Sequence, residues 1–198
     1  MLARALRAEG LRPGSRVLDV CTGSGLLAVT AALDGADATA VDVSRRAVLC
    51  ATLNARLNGV RVRALCGDLF EPLRGERFDA IVSNPPYLPA DDDALPTRGP
   101  KRAWDAGRDG RAVLDQICAQ APAHLSAGGV VLFVHSSLCD TDATLAALRD
   151  HGLRAEVTVR QRGALGPLLR ARAPQLEARG LLAAGQREED VVVVRGAV

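Results

Sequence analysis

The chain has 198 residues, which suffices for one substantial hydrophobic core but not for a catalytic domain joined to a full recognition domain. Hydrophobic residues make up 48% of the sequence and aromatic residues only 3%, so we expect an ordered core built from Ala, Val and Leu. The formal net charge of +2 is too near balance to indicate a nucleic-acid-binding surface.

Cysteine usage and hydropathy indicate a cytoplasmic protein. The five cysteines form no C-x-x-C pair and no Cys/His array with zinc spacing, which predicts a reducing compartment and no metal site. No export signal is recognisable at the start of the chain, and no apolar run approaches the roughly 20 residues of a membrane span. We therefore expect no membrane partner.

Short apolar runs alternate with helical patterns along the chain. The runs are bounded by Gly, Asp, Asn or Pro, which is typical of buried strands, and they occupy residues 16–20, 38–43, 60–65, 78–83 and 130–135. Helical spacing of apolar residues predicts helices over residues 26–33, 45–57, 110–125 and about 140–151, with Ser44 as an N-cap. Two further strands are predicted at residues 154–160 and 191–195.

This order of elements predicts an α/β fold. Strands that alternate with helices pair in parallel through right-handed crossovers. We therefore expect a doubly wound, mostly parallel seven-stranded sheet with helices on both faces and an antiparallel edge strand. The chain is predicted to form a single domain over residues 1–198, with an insertion at residues 161–189. Ligands of such sheets bind at the carboxyl ends of the strands.

The first strand ends in an acidic, glycine-containing segment that reads VLDVCTGSG. Cys21 and Leu26 occupy two glycine positions of a dinucleotide fingerprint, so only Gly23 and Gly25 remain. Asp19 lies at the end of the strand, where a carboxylate repels a pyrophosphate but stabilises an ammonium or a sulfonium. The segment therefore favours a cationic cofactor.

Two more acids follow the next two predicted strands. Asp42 ends the second strand, where an acid can accept hydrogen bonds from both hydroxyls of a ribose. Asp68 follows the third strand and can accept the proton of an exocyclic amino group, while Val43 and Leu69 can sandwich a purine. Three acids at three successive strand ends predict a site for adenosine joined to an amino-acid cation.

The fourth strand ends at Asn84-Pro85-Pro86-Tyr87. An asparagine amide both accepts and donates hydrogen bonds, and the prolines fix the direction of a backbone carbonyl. If the Asn84 oxygen and the Pro85 carbonyl each accept one hydrogen of a planar NH₂ group, the nitrogen lone pair leaves conjugation and becomes nucleophilic. Tyr87 is predicted to stack on the acceptor. No general base is required before attack on a sulfonium methyl.

The candidate residues fall into two groups. The predicted catalytic residues are Asn84, Pro85, Pro86 and Tyr87. The predicted cofactor-binding residues are Asp19, Cys21, Thr22, Gly23, Gly25, Asp42, Val43, Asp68, Leu69 and Asn84.

These motifs resemble the class I methyltransferases of the HemK family. The resemblance covers nearly the whole chain and rests on VLDVCTGSG, VDVS, the Gly67-Asp68 pair and FDAIVSNPPYLP. It implies a Rossmann-like fold, S-adenosyl-L-methionine as cofactor, and methylation of the glutamine in the Gly-Gly-Gln loop of peptide-chain release factors. Residues 102–111 resemble the archaeal and eukaryotic branch, which lacks an N-terminal helical domain and pairs with a small zinc-binding activator subunit.

Three features depart from the family pattern. Cys21 stands where the family has a glycine beside the amino-acid part of the cofactor, and the insertion at residues 161–189 is longer than in the branch that this chain resembles. Related chains begin with a segment that covers the cofactor, whereas this one begins in the helix that follows. Either Met1 is not the biological start or the lid is absent, and we expect an absent lid to weaken cofactor binding.

Other functions remain open at this point. A flipped adenine or guanine also presents a planar amino group, so methylation of an RNA or DNA base at adenine N6 or guanine N2 is an alternative. A small-molecule acceptor and a non-catalytic nucleoside-binding protein are two more. His135 has two possible roles, one in the acceptor pocket and one as a side chain packed in the interior. Trp104 also has two, either forming the floor of the acceptor site or anchoring a loop.

Overall fold

Seven strands, numbered in chain order, form a single sheet in the computed structural model, which describes residues 1–198. The strands are β1 (Arg16–Val20), β2 (Asp37–Asp42), β3 (Val62–Cys66), β4 (Phe78–Ser83), β5 (Leu125–Ser136), β6 (Arg154–Ala164) and β7 (Glu188–Ala197). Their order across the sheet is β3-β2-β1-β4-β5-β7-β6. The helices are α1 (Leu2–Ala8), α2 (Leu26–Leu33), α3 (Arg45–Leu57), α4 (Ala112–Gln120), α5 (Thr141–Asp150) and α6 (Pro167–Ala178).

Strand directions confirm the predicted mixed α/β sheet. Strands β1 to β5 pair in parallel, whereas β7 runs antiparallel to both β5 and β6. The strand order reverses at β1, which pairs with β2 on one side and β4 on the other. Because the register sets Val20 opposite Val41 and Ser83, the segments that follow three parallel strands meet at one point. Ligands of open α/β sheets bind at such a switch point.

Several boundaries differ from the sequence prediction. β5 extends from Leu125 to Ser136 because Leu125 pairs with Phe78 of β4, before an irregularity in the register, and Ser136 pairs with Val191 of β7. The predicted helix 110–125 ends at Gln120 and continues as a 3₁₀ turn that contains Pro122, whose ring removes an N–H donor. β6 and β7 pair as far as Ala164 and Glu188, so the ends of the predicted insertion 161–189 are strand and α6 lies between them.

The hydrophobic core lies on both faces of the sheet. Successive residues of a strand point to opposite faces, and the two largest apolar clusters follow that alternation. Leu18 and Ile81 belong to the cluster that includes α4 and α5, whereas Val17 and Val82 belong to the cluster that includes α1 and α2. Valine, leucine and alanine provide most of this packing, as the composition predicts. None of the helices is both long and apolar enough to cross a membrane.

The start of α2 packs unusually close to α3. Gly25 precedes α2 with a φ of 82°, in the left-handed region that favours glycine. A Cβ atom at this position would lie 2.7 Å from the Cβ of Ala51, which is fully buried in α3. Ser44 is the N-cap of α3, as predicted. Its side chain accepts a hydrogen bond from the backbone N–H of Ala47.

We expect Gly25→Ala to lower the free energy of unfolding by about 2–5 kcal/mol, the sum of a left-handed backbone penalty and overpacking against Ala51. Gly14→Ala is the matched control, because Gly14 also has a φ of 82° but a Cβ there would meet nothing within 4 Å. It should lose only about 1–2 kcal/mol. Urea denaturation measures both values, and equal losses would contradict the close approach of the two helices.

Candidate active site

An open cavity of about 1540 Å³ lies at the carboxyl ends of β1, β2 and β4. It exceeds the usual size of a site for one small ligand, so it has room for a cofactor and an acceptor. All the predicted site residues line this cavity except Gly25, Pro85 and Tyr87. The site residues that line it are Asp19, Cys21, Thr22, Gly23, Asp42, Val43, Asp68, Leu69, Asn84 and Pro86.

Asp19 is the most deeply buried acid of the cavity, with only 1% of its surface exposed. Its Oδ2 atom accepts hydrogen bonds from the Thr22 hydroxyl at 2.6 Å and from the backbone N–H of Ala28 in the first turns of α2 at 3.1 Å. Its Oδ1 atom is buried without a partner. A buried oxygen without a donor is costly, so this atom marks a place where a ligand N–H fits.

The environment of Asp19 shifts its ionisation toward the neutral form when no ligand is bound. Burial raises the pKa of Asp19 to about 7, and the carboxylate of Asp42 adds to the increase, while the hydrogen bonds from Thr22 and Ala28 oppose it. A cation bound beside Asp19 would shift the balance back toward the carboxylate. The site therefore fits an ammonium-bearing ligand better than an anionic one.

The loop between β1 and α2 is held to the end of β2. The carboxylate of Asp42 accepts from the backbone N–H of Gly23 at 2.9 Å and from that of Ser44 at 2.8 Å. The backbone N–H of Thr22 donates to the carbonyl of Val41 at 3.1 Å. These bonds fix the orientation of the Asp42 carboxylate, which retains lone pairs for a ligand hydroxyl.

Cys21 adopts the left-handed backbone conformation, with a φ of 58°. This explains why a glycine suits the position, since a side chain there is strained by about 1–2 kcal/mol. Burial and the nearby acids Asp42, Asp19 and Asp68 raise the pKa of the Cys21 thiol far above its ordinary value. The thiol is therefore protonated and a poor nucleophile.

The side of the cavity that is predicted to hold a purine contains one acid and two apolar residues. Asp68 and Val43 are exposed at the cavity, whereas Leu69 is buried and has a φ of 43°. The backbone N–H of Gly67 donates to the Asp42 carbonyl at 3.1 Å, which connects this turn to the end of β2. The structure thus brings the three predicted acids to one cavity.

The end of β4 is bound tightly to the end of β1. The buried Ser83 hydroxyl donates to the carbonyl of Val20 at 2.7 Å, directly before Asn84. Asn84 is exposed and lines the cavity, while Pro85 is buried behind it. The Asn84 carboxamide is therefore presented to the cavity from a fixed strand end.

Residues 84–90, called here the acceptor loop, pair with residues 104–108, called the strap. The backbone N–H of Leu88 donates to the Trp104 carbonyl at 2.7 Å, and that of Ala106 donates to the Leu88 carbonyl at 3.0 Å. The backbone N–H of Ala90 donates to the carbonyl of Gly107 at 2.8 Å. Trp104 thus anchors the loop through its backbone, one of its two predicted roles, and it does not line the cavity.

Tyr87 is predicted to stack on the acceptor, and the structure places it behind the cavity wall. Its side chain is half-buried and packs against the core, and it does not line the cavity. The thiol of Cys139 donates to the Tyr87 carbonyl at 3.0 Å, and burial raises the pKa of that thiol to about 12, so the donor proton is retained. Pairing of the loop with the strap and packing below it turn the ring inward, which local sequence does not indicate.

His135 is fully buried and does not line the cavity, so the packed alternative is correct. Its Nδ1 lies 2.8 Å from the Ser136 carbonyl oxygen, and burial lowers its pKa. Residues 88–109, predicted as a loop beside the site, contribute Leu95, Pro96, Arg102 and Asp105 to the cavity wall. Sequence reasoning missed the parts of the wall at α1 and α4, which carry no recognisable motif. These parts include Met1, Leu2, Ala3 and Gln116.

Comparisons with known proteins agree with this geometry. Residues 1–96 match the family model described as the methyltransferase small domain. A putative protein N5-glutamine methyltransferase of Methanocaldococcus jannaschii is 38% identical over 145 residues, which cover 73% of each chain. A release factor glutamine methyltransferase of Bordetella pertussis is 42% identical over 151 residues, covering 72% of this chain and 55% of the relative. The chain thus spans little more than half the length of that bacterial protein.

Among solved structures, the E. cuniculi Mtq2–Trm112 complex has a similar fold, with a TM-score of 0.62 at 20% identity, covering 99% of this chain and 92% of that one. The archaeal relative establishes the family, because more than two thirds of its length aligns at well over 30% identity. The fold, the strand-end acids and the N-P-P-Y loop agree with that relationship. The chain belongs to the HemK family of class I methyltransferases, whose members include the protein N5-glutamine methyltransferases.

Proposed function

We propose that this chain is an S-adenosylmethionine-dependent N-methyltransferase that methylates the side-chain amide of a protein glutamine, with a peptide-chain release factor as the favoured substrate. The observation that carries the proposal is the exposed Asn84 carboxamide on the cavity wall, on a strand end fixed by Ser83. The relatives of Methanocaldococcus jannaschii and Bordetella pertussis are named as glutamine methyltransferases, which supports a glutamine amide as the acceptor.

The cavity fits the proposed cofactor. S-adenosylmethionine, when bound, supplies an electrophilic methyl group on a sulfonium. The buried Oδ1 of Asp19 suits the amino-acid ammonium, and the Asp42 carboxylate suits the ribose hydroxyls. Asp68 suits the exocyclic amine of the adenine, and Val43 and Leu69 suit its faces.

The acceptor is held by oxygen atoms of this chain. The Oδ1 of Asn84 and the carbonyl oxygen of Pro85 each accept one N–H of the glutamine amide, which withdraws the nitrogen lone pair from conjugation. Pro85 and Pro86 restrict the backbone that carries these oxygens. Tyr87 supports the loop from below instead of stacking on the acceptor, because its ring is half-buried against the core.

An activator subunit is part of the proposal. Helix α3 exposes Leu49, Leu53 and Leu57, which lie four residues apart and therefore on one face of the helix. Beside it, β3 is an edge strand with free backbone groups. An apolar helix face next to an open sheet edge suits a partner that adds a strand and covers the leucines. The Mtq2–Trm112 complex supports a second protein as that partner, and the resemblance to the archaeal and eukaryotic branch implies a small zinc-binding subunit.

We expect Asn84→Ala to lower kcat by about 10²–10³-fold, because the variant loses a group that holds the reacting amide in the transition state. The affinity for S-adenosylhomocysteine should stay within about twofold, because the acids that bind it are unchanged. Tandem mass spectrometry of treated release factor and titration calorimetry measure the two quantities. Asn58→Ala, at the exposed end of α3, is the control. Near wild-type turnover would refute the role of Asn84, and methylated RNA beside unmodified glutamine would favour the nucleic-acid alternative.

We expect the affinity for S-adenosylhomocysteine to rise about tenfold between pH 6 and pH 8 and then to level off. The reason is that Asp19, whose pKa is raised to about 7, must lose its proton to attract the ammonium. The same raised pKa affects the stability of the free protein with the opposite sign. The free energy of unfolding should fall as the pH rises from about 4 to about 7, because the folded protein holds the Asp19 proton more tightly than the unfolded chain does. Asp19→Asn should bind weakly at both pH values. Calorimetry at each pH measures these affinities. If the affinity of Asp19→Asn changes with pH as much as that of the wild type, Asp19 is not the source of the pH dependence.

We expect the double substitution Leu53→Glu and Leu57→Glu to prevent co-purification with a co-expressed zinc-binding activator, because it introduces charge into the apolar face. Leu168→Glu on α6 is the control, since Leu168 is 41% exposed and Leu53 is 47% exposed. Size-exclusion chromatography measures the complex. Retention of the partner by the double variant would place its interface elsewhere.

A further inference from the structure

Helix α6 packs directly on the acceptor loop. Leu165, Leu169, Ala173, Leu176 and Leu182 form a small buried cluster of their own, separate from the two main clusters of the sheet. Leu88 of the acceptor loop packs against this cluster. The segment between β6 and β7 therefore has an apolar face that is buried on the loop one residue after Tyr87.

Two arginines of this segment bind the backbone of the acceptor loop. Arg172 donates to the carbonyl of Pro89 at 2.7 Å, and Arg179 donates to the carbonyl of Ala90 at 2.8 Å. Arg179 also donates to the carbonyl of Arg108 in the strap. The two arginines are seven residues apart, which brings them to the same side of a helix. Together they hold loop and strap to each other.

Arg172 has a second, electrostatic contact. Its Nη2 lies 2.6 Å from Oδ1 of Asp105, whose side chain is only 6% exposed, while that of Arg172 is 20% exposed. Asp105 lines the cavity, which already contains three acids. A carboxylate this deeply buried requires a counter-ion, and Arg172 provides it.

We propose that α6 is a clamp on the acceptor loop and that Arg172 and Arg179 are positioning residues for the methyl transfer. This inference rests on the proposed function, because it concerns how Asn84 is held. The loop and strap have little regular structure of their own, so the contacts from α6 restrict their motion. Arg172 and Arg179 act on the acceptor through the loop backbone, without contact to the cofactor side of the cavity.

The test compares Arg179→Gln and the double variant Arg172→Gln/Asp105→Asn with the control Arg170→Gln, whose side chain is exposed on the same helix. The double variant avoids leaving Asp105 buried without a counter-ion, which would endanger folding. We expect both test variants to lose kcat on the order of 10²-fold, as for a misplaced reacting group, while the affinity for S-adenosylhomocysteine stays within about twofold. The control should match the wild type in both quantities.

Hydrogen exchange provides a readout that needs no substrate. In the test variants, the amides of Leu88, Ala90 and Ala106, which join loop and strap, should exchange faster than in the wild type, while those of β1 and β4 should not. Wild-type kcat and wild-type exchange in both variants would overturn the clamp. If the wild type methylates no glutamine, the proposed function fails, and the exchange rates alone still decide whether α6 clamps the loop.

Discussion

Parallel pairing of β1 with β4 is the constraint on which the rest of the site depends. The register sets Val20 opposite Ser83, and the Ser83 hydroxyl bonds the Val20 carbonyl at 2.7 Å in the buried interior. Asp19 on one strand and Asn84 after the other are thereby held at the same end of the sheet. The proposed cofactor half and the proposed acceptor half of the cavity come from different strands, and this pairing sets their separation.

A second constraint is the burial of Asp19. Its carboxyl group is almost completely removed from water, and only one of its oxygens has partners in the protein. Such a group destabilises the fold unless it is protonated or compensated. A protein keeps such an atom at low cost when a ligand supplies the missing donor, and the ammonium of an amino-acid cation is such a donor. The burial that raises the pKa of Asp19 thus also explains why a positively charged cofactor suits this site.

The acceptor loop depends on support from outside the sheet. Pro85 and Pro86 restrict it locally, the strap pairs with it through backbone bonds, and α6 holds both through Arg172 and Arg179. Packing below the loop also uses the core, since the thiol of Cys139 donates to the Tyr87 carbonyl. This division of support explains why the ring of Tyr87 faces inward while Asn84 remains exposed to the cavity.

The sequence by itself determined the parallel core of the sheet and the residues of the cavity that follow strand ends. Apolar runs of β1, β2 and β4 and the acids Asp19 and Asp42 are local patterns, and parallel strands bring their carboxyl ends together whatever the loops do. Tertiary structure alone decided the inward position of Tyr87, the burial of His135 and the contact between Arg172 and Asp105. The physical reason is that these features arise from contacts between residues far apart in the chain, to which local propensity and spacing do not respond.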